Sequence, residues 1–497
     1  MSATQENPST SSEPRVHANV EEYDIVILGG GTGSTVAAWT FASEGKKVAT
    51  IDRKYIGGSC PNIACLPSKN VIHAARVASY VRNSKAYGIQ TDSFRVDMRA
   101  VRERKRKLVS GLNELYLANY KATGAEFICA TGRFVAPRTV EATFADGTRR
   151  LLRGTNVIIS TGTHAAIEPI PGLVEVQPLT HIETLELDEV PEHLIVLGAG
   201  YIGAELAQAM RRFGSKVTII ERADRPLFRE DDDVTQTLSD IFKEDGIDIE
   251  TVAKVTSVSG KSGQSVSVRF TQNGVERTIE GTHLLVALGR TPNTEGLDFE
   301  IAGVALTDRG YLKVDKRLQT TAPGVWAIGE VAGSPQFTHV SIDDFRVVHA
   351  GITGENRVTT GRQIPFCVFT DPEIARYGLS EKEAAAQGIG YRLFKIPMDD
   401  VLRAKTLSET RGFLKALVEI DSDRLLGFTA FAVEGGEIMA AVQIAMMGGL
   451  PYTALRDGIL AHPTLAEGLA PLFLSQPTVH PAAQPAAKPD QARTATR

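Results

Sequence analysis

The sequence predicts an α/β chain with two Rossmann-like dinucleotide-binding domains and a smaller C-terminal α+β domain. Two glycine-rich strand–turn–helix–strand signatures at one fixed offset predict the first part, and a change of pattern after Pro365 predicts the second. In the first signature an apolar strand, Glu21 to Leu28, runs into Gly29-Gly30-Gly31-Thr32-Gly33-Ser34 and a helical Val36–Ser43, and a strand from Val48 to Ile51 ends at Asp52. Glycines there let the backbone approach a pyrophosphate at the helix N-terminus, and an acid about 20 residues on accepts a ribose hydroxyl. Ser34 stands where a third glycine is usual, so the helix is expected to pack on the strand around a small side chain. The second signature runs from the strand Leu194–Leu197 through Gly198-Ala199-Gly200-Tyr201-Ile202-Gly203 and a helix to Arg212, then a strand Lys216–Ile220 ending at Glu221. Placing Gly29 on Gly198 brings Gly31 onto Gly200, Gly45 onto Gly214, Lys47 onto Lys216 and Asp52 onto Glu221 without a gap. Two dinucleotides are therefore expected on one chain.

Between and after these units, three apolar strands end in small or turn-forming residues: Asn156–Ser160 before Thr161-Gly162, Leu284–Leu288 before Gly289-Arg290-Thr291-Pro292-Asn293, and Val325–Ile328 before Gly329-Glu330. Beyond Pro365 the pattern mixes strands (Arg411–Ile420, Leu425–Val433) with a helix (Gly436–Met447) and shows no third signature.

Immediately after the first unit comes Gly57-Gly58-Ser59-Cys60-Pro61-Asn62-Ile63-Ala64-Cys65-Leu66-Pro67-Ser68-Lys69, leading into helix-compatible residues from Asn70 to Ser79. On a regular helix positions i and i+5 stand roughly 8 to 9 Å apart, beyond disulfide reach, so bridging Cys60 and Cys65 requires a distorted turn. Pro61 and Pro67 are the residues that could distort it. A strained pair at a helix N-terminus suits redox cycling, while two thiols packed as small hydrophobes is the plain alternative. A metal site is not expected, because Cys129 and Cys367 are isolated and supply no second half-site. Near the end, His462 and Glu467 are spaced to form an acid/base pair or, more plainly, a surface histidine and a helix-start acid.

A chain of 497 residues is expected to hold about three domains. The net charge of −5 argues against nucleic acid as a partner. The run Arg102-Glu103-Arg104-Lys105-Arg106-Lys107 lies beside Val101, Leu108, Leu112 and Leu115 at helical spacing and is expected to be a solvated helix face. Four cysteines in so long a chain suit a reducing cytoplasm. No apolar run is long enough for a membrane span. Residues 1–20, polar, and 476–497, Pro/Ala-rich, are expected to be disordered tails.

Together these stretches resemble the pyridine nucleotide-disulfide oxidoreductases, the flavoenzyme family of dihydrolipoamide dehydrogenase, glutathione reductase and mercuric reductase. The carriers are Gly-Gly-Ser-Cys60-x4-Cys65-x-Pro-Ser-Lys69, both fingerprints, Ser-Thr161-Gly162, Gly289-Arg290-x-Pro-Asn293, Gly329-Glu330 and His462-Pro463-Thr-x-x-Glu467, in family order. The resemblance implies an FAD-binding domain over 21–162, an NAD(P)-binding domain over 163–290, a return to the FAD or central domain over 291–361 and a dimerisation domain over 362–475. It implies FAD at Gly29, Gly31, Ser34, Asp52, Lys69, Thr161, Gly162 and Glu330, the last in place of the family's usual Asp. It implies a nicotinamide dinucleotide at Gly198, Gly200, Gly203, Glu221 and Gly289, NADH being favoured over NADPH because a carboxylate at 221 repels a 2′-phosphate; Arg222 and Arg225 keep NADPH open.

Electrons would pass from nicotinamide to flavin to a Cys60/Cys65 disulfide, Cys65 lying against the flavin and Cys60 meeting substrate. Lys69 and Glu205 match an ion pair beside the flavin. His462 with Glu467 would be the proton-shuttling dyad, reaching the other subunit of a homodimer, and His462-Pro463 is a candidate cis peptide. Cys129 and Cys367 are expected to be buried core thiols. The expected substrate is an organic disulfide or dithiol, as for dihydrolipoamide dehydrogenase; a soft metal ion, Hg(II) or Cu(II), is the alternative. A structural subunit of a 2-oxo-acid dehydrogenase assembly is a third reading.

Overall fold

The structure, a computed structural model, describes residues 19–482. Most of both expected tails lies outside the described residues. Two edges differ from expectation. Val20 already belongs to the first strand, Val20–Leu28, and Thr478–His480 form a strand paired antiparallel with Tyr391–Leu393. The Pro/Ala composition hid this last strand, which covers the otherwise open edge of its sheet and seats His480 on the Tyr391 ring at 4.7 Å.

The chain divides into two compact units. The first comprises the residues up to Gly58 with Glu114–Gly162 and Pro292–Thr359. Its seven-stranded sheet runs Glu126–Cys129, Val48–Asp52, Val20–Leu28, Arg149–Ile159, Thr139–Thr143 and Thr131–Ala136, with Val325–Ala327 also paired to Arg149–Ile159. The central strands are parallel and buried on both faces, which is why Ile25 to Leu28 and Val157 to Ile159 read as continuous apolar runs. The helix Thr32–Ser43 covers one face through Ala37, Ala38 and Phe41.

The second unit comprises Ser59–Asn113, Thr163–Thr291 and the residues from Thr360 onward. It holds a parallel four-stranded sheet in the order Ile247–Glu250, Lys216–Ile220, His193–Leu197, His283–Val286. A three-stranded antiparallel sheet, Ala253–Lys261, Ser265–Gln272 and Val275–Gly281, follows in the chain. The third sheet has six strands in the order Phe366–Val368, Glu373–Gly378, Leu425–Ala432, Phe413–Glu419, Tyr391–Pro397, Thr478–His480, with helix Gly435–Met447 packed on it.

Within this unit Lys415 is fully buried, yet its Nζ donates to Asp231 Oδ2 at 2.9 Å, Asp233 Oδ1 at 2.8 Å and Glu381 Oε1 at 2.9 Å. Burial opposes the ammonium, but the three carboxylates outweigh it and hold its pKa above the ordinary lysine value. Among the described residues these acids form the group with metal-like spacing, and the ammonium lies at hydrogen-bond distance from all three.

The basic run lies in the helix Met98–Thr123 and corrects one expectation. Lys105 is buried rather than solvated: its Nζ donates to the Leu185 carbonyl at 2.9 Å and pairs with Glu186. Its sequence neighbours of the same charge are exposed or half-exposed, so composition alone did not single it out. No described helix is long and apolar enough to cross a membrane.

Candidate active site

Both fingerprint turns are built the same way. Gly29 and Gly198 have φ of 102° and 99°, and their N–H groups donate to the carbonyls of Ile51 and Ile220 at 2.8 and 2.9 Å. A Cβ at Gly29 would stand 2.3 Å from the Ser160 carbonyl oxygen, and one at Gly198 2.6 Å from that of Ala287. The two acids close the turns alike: Gly30 N–H donates to Asp52 Oδ2 and Ala199 N–H to Glu221 Oε2, each at 2.7 Å. The internal repeat seen in the sequence is thus a repeat of hydrogen bonds.

The turns differ at the third glycine position. A Cβ at Gly203 would meet the Gly198 carbonyl oxygen at 2.0 Å, so this helix needs glycine. At Ser34 the hydroxyl donates to the same carbonyl position, Gly29 O at 2.7 Å, and lies 2.8 Å from Gly31 O. A hydrogen bond replaces close backbone packing.

Neither helix that follows carries a side-chain cap, and both begin after glycines, Gly31 and Gly200. A Cβ at Gly200 would meet nothing within 4 Å. One at Gly31 would lie 3.2 Å from Ser160 Oγ, so the open space is shown at the second turn; both helices, of 12 and 13 residues, start with N–H groups that no side chain caps, which fits a pyrophosphate. The remaining cofactor candidates are fixed by local bonds. Thr161 Oγ1 donates to the Asn293 carbonyl and Asn293 Nδ2 to the Thr161 carbonyl, both at 2.8 Å. Asn293 N–H reaches the Gly162 carbonyl at 2.9 Å. The Gly289 carbonyl accepts from Ala166 N–H at 2.9 Å. Glu330 lies half-buried in the turn Gly329–Ala332, whose first N–H donates to the wholly buried Asp344 at 2.8 Å.

The cysteine segment is split between two helices. Cys60 lies in a four-residue helix, Ser59–Asn62, and Cys65 opens the next, Cys65–Arg82. Ala64 between them leaves helical geometry at φ −127°, ψ −101°. Pro67 falls in the first turn of the second helix, where its missing N–H costs nothing. Both cysteines are half-buried. Lys69, one turn beyond Cys65, places its Nζ 2.8 Å from Glu205 Oε2 and 4.5 Å above the Phe369 ring. Glu205 is buried, and its other oxygen accepts from Phe369 N–H at 2.9 Å.

His462 Nδ1 lies 2.8 and 3.0 Å from the two oxygens of Glu467. Thr464 Oγ1 supports the loop, accepting from Glu467 N–H at 3.2 Å and donating to the Ala461 carbonyl at 2.9 Å. The His462-Pro463 peptide is cis. The His462 side chain is 63% exposed, so it is presented outward.

Of the other two cysteines, Cys129 departs from expectation and Cys367 packs against the core of its sheet. Cys129 is exposed at the end of its strand, where it pairs with Asp52. Cys367 is half-buried; burial and the nearby Glu373 and Glu205 charges push its thiol pKa well above the ordinary range, which disfavours thiolate chemistry there. The reading by motif also passed over Asp344 and the buried Glu230, neither of which belongs to a short pattern.

Residues 23–344 match the pyridine nucleotide-disulphide oxidoreductase family, and residues 364–472 match its dimerisation domain. The chain belongs to this family of flavoprotein disulfide reductases, whose members bind FAD and NAD(P)H. It is 33% identical to a mercuric reductase of Staphylococcus aureus, over 93% of this chain and 84% of the relative. It is also 33% identical to a dihydrolipoamide dehydrogenase of Chaetomium thermophilum, over 91% of each. Among solved structures, the Cu(II) complex of the HOCl-induced flavoprotein disulfide reductase RclA from Escherichia coli matches with a TM-score of 0.83 and 33% identity, covering 91% of this chain and 99% of that one.

Proposed function

We propose that the chain is an NADH-linked, FAD-dependent dithiol/disulfide oxidoreductase of the dihydrolipoamide dehydrogenase type, working through Cys60 and Cys65. The observation that carries the reading is the His462–Glu467 contact in an exposed loop. An ionised carboxylate only accepts, so Glu467 holds the proton on Nδ1 and leaves Nε2 as the base. That is the arrangement a thiol proton shuttle needs and a metal-ion reductase does not.

FAD and the nicotinamide dinucleotide, when bound, supply the two electrons that reduce the Cys60–Cys65 disulfide. In the disulfide-reducing direction the Cys60 thiolate attacks one sulfur of the substrate disulfide, the substrate S–S bond breaks, and the leaving thiolate takes a proton from the imidazolium of His462. Cys65 then attacks Cys60, closing their disulfide and releasing the second substrate thiolate. Oxidation of a dithiol is the reverse sequence, with His462 accepting the thiol proton. Lys69, fixed by Glu205, supplies the positive charge that favours the reduced flavin ring.

The working form is a homodimer in which His462 serves the partner's cysteines. Ile444, Met447, Leu450 and Ile459 of the dimerisation domain are exposed apolar side chains that such an interface would cover. Glu221 and the engagement of Arg222 by Glu168 and of Arg225 by Asp232 favour NADH. Cys60→Ser should abolish disulfide turnover while NADH still reduces the flavin; turnover retained by this variant would sink the mechanism.

A second reading, reduction of Cu(II) or Hg(II) by the Cys60/Cys65 dithiol, is favoured by the likeness to mercuric reductase and to the Cu(II)-complexed reductase. It requires metal-dependent NADH consumption that is lost in Cys60→Ser.

A further inference from the structure

Tyr201 opens the helix Tyr201–Phe213 directly after Gly200, and Glu205 lies four residues on, on the same helix face. Since Glu205 holds Lys69, that face looks toward the segment carrying the cysteines. Tyr201 thus stands where the dinucleotide turn meets the redox segment. Its ring stacks on Phe366, with centroids 5.6 Å apart and planes at 16°. Its phenol donates to Glu230 Oε1 at 2.8 Å.

Glu230 is only 3% exposed. Its second oxygen lies 3.5 Å from Arg376 Nε, and the Arg376 guanidinium lies 4.9 Å over the Phe366 ring. The four groups close a loop of contacts: Tyr201, Phe366, Arg376, Glu230. The backbone joins the same loop to the glycine turn, because Leu227 N–H donates to the Ala199 carbonyl at 3.1 Å and Glu230 N–H to the Leu227 carbonyl at 2.8 Å. Burial raises the Glu230 pKa against the pull of Arg376, so this carboxylate is costly to keep and depends on its two partners.

We propose that Glu230 is a positioning residue for nicotinamide dinucleotide binding, acting through the Tyr201 phenol to fix that ring beside the Gly198–Gly203 turn. Without the phenol–carboxylate bond the ring loses its tie to Glu230 and is held less firmly on Phe366. The dinucleotide must then reorder it on binding, and ordering one side chain weakens affinity about three- to tenfold. The rate at saturation stays unchanged, because the groups that handle electrons and protons are untouched. The inference uses the second fingerprint as a nicotinamide site and is independent of the final electron acceptor.

The test is NAD+ binding by calorimetry on the FAD-loaded protein, with NADH KM and kcat measured alongside. Tyr201→Phe and Glu230→Ala should each weaken binding about three- to tenfold, and their double variant should be no weaker than either alone. Glu230→Gln keeps an acceptor at the same reach and should retain most of the affinity. Unchanged dissociation constants in both single variants, or full additivity in the double, would overturn the proposal. So would a Glu230→Ala protein that melts lower but binds NAD+ normally, since that marks a purely structural residue. Absence of NAD+ binding in the parent protein would instead remove the nicotinamide assignment itself.

Discussion

Replacing Lys415 with Met removes the cation that three carboxylates share while keeping a side chain of similar length. In the parent the ammonium donates to all three acids at 2.8 to 2.9 Å with no solvent access. Asp231 also accepts from the N–H groups of Glu381 and Lys382 at 3.0 Å, and Asp233 pairs with Lys395 at 2.7 Å, so the acids cannot turn away without losing further bonds. Breaking a buried pair by removing one partner costs about 3–5 kcal/mol. At roughly 2 °C per kcal/mol, that lowers the melting temperature by about 6–10 °C at pH 7.

The deficit has a definite pH dependence. In the parent, burial raises the Asp233 pKa but Lys415 and Lys395 outweigh it and depress it, which adds stability above the unfolded pKa. In Lys415→Met one of the crowded carboxylates has its folded pKa raised instead. Protonation then favours the fold, and the gap to the parent narrows as pH falls from 7 toward 5. The acceptor atoms lie within 4.8 Å of one another, so Ca2+ should raise the melting temperature of the variant and leave the parent unchanged. Thermal melts at three pH values, with and without Ca2+, check all of this. A variant melting within about 2 °C of the parent at pH 7 would refute the reasoning.

The other predictions concern single contacts. Gly203→Ala places a methyl 2.0 Å from the Gly198 carbonyl oxygen, so the purified protein should keep its FAD absorbance but lose NAD+ binding in calorimetry. Glu221→Gln removes the charge and leaves one acceptor oxygen where Ala199 and Ala223 N–H each had their own, and should relax the NADH over NADPH preference in kcat/KM by about tenfold. His181 is buried, and burial followed by the Arg290 charge lowers its pKa from 6.5 to about 4. The unfolded chain therefore takes up this proton first as pH falls below 6.5, and stability should decline by about 3 kcal/mol by pH 4. His181→Phe should flatten that decline in melts across the range.

Much of the fold was legible because both dinucleotide units use short, contiguous signals. Glycine spacing and a terminal acid report local backbone geometry, and the matching bonds at Asp52 and Glu221 show why the offset has no gap. In the cysteine segment the five-residue spacing and the two prolines pointed to a distorted turn, and the backbone leaves helical geometry at Ala64, between the prolines rather than at either. What was missed depends on long-range burial. Lys105 looks like its neighbours until the Leu185 carbonyl is placed over it, and Lys415 sits in an ordinary strand until three acids from two distant segments surround it. Thr478–His480 becomes a strand only because the edge of Tyr391–Pro397 is open. Cys129 read as a core thiol because its strand is apolar, whereas the structure leaves it exposed.

The most direct test offers oxidants one at a time to NADH-reduced protein without oxygen, following the flavin absorbance in the parent and in Cys60→Ser. Rapid reoxidation by lipoamide that requires Cys60, with Hg(II) and Cu(II) no faster, is the expected result. If only the metal ions drain the electrons, the disulfide assignment is contradicted and the His462–Glu467 pair serves another purpose.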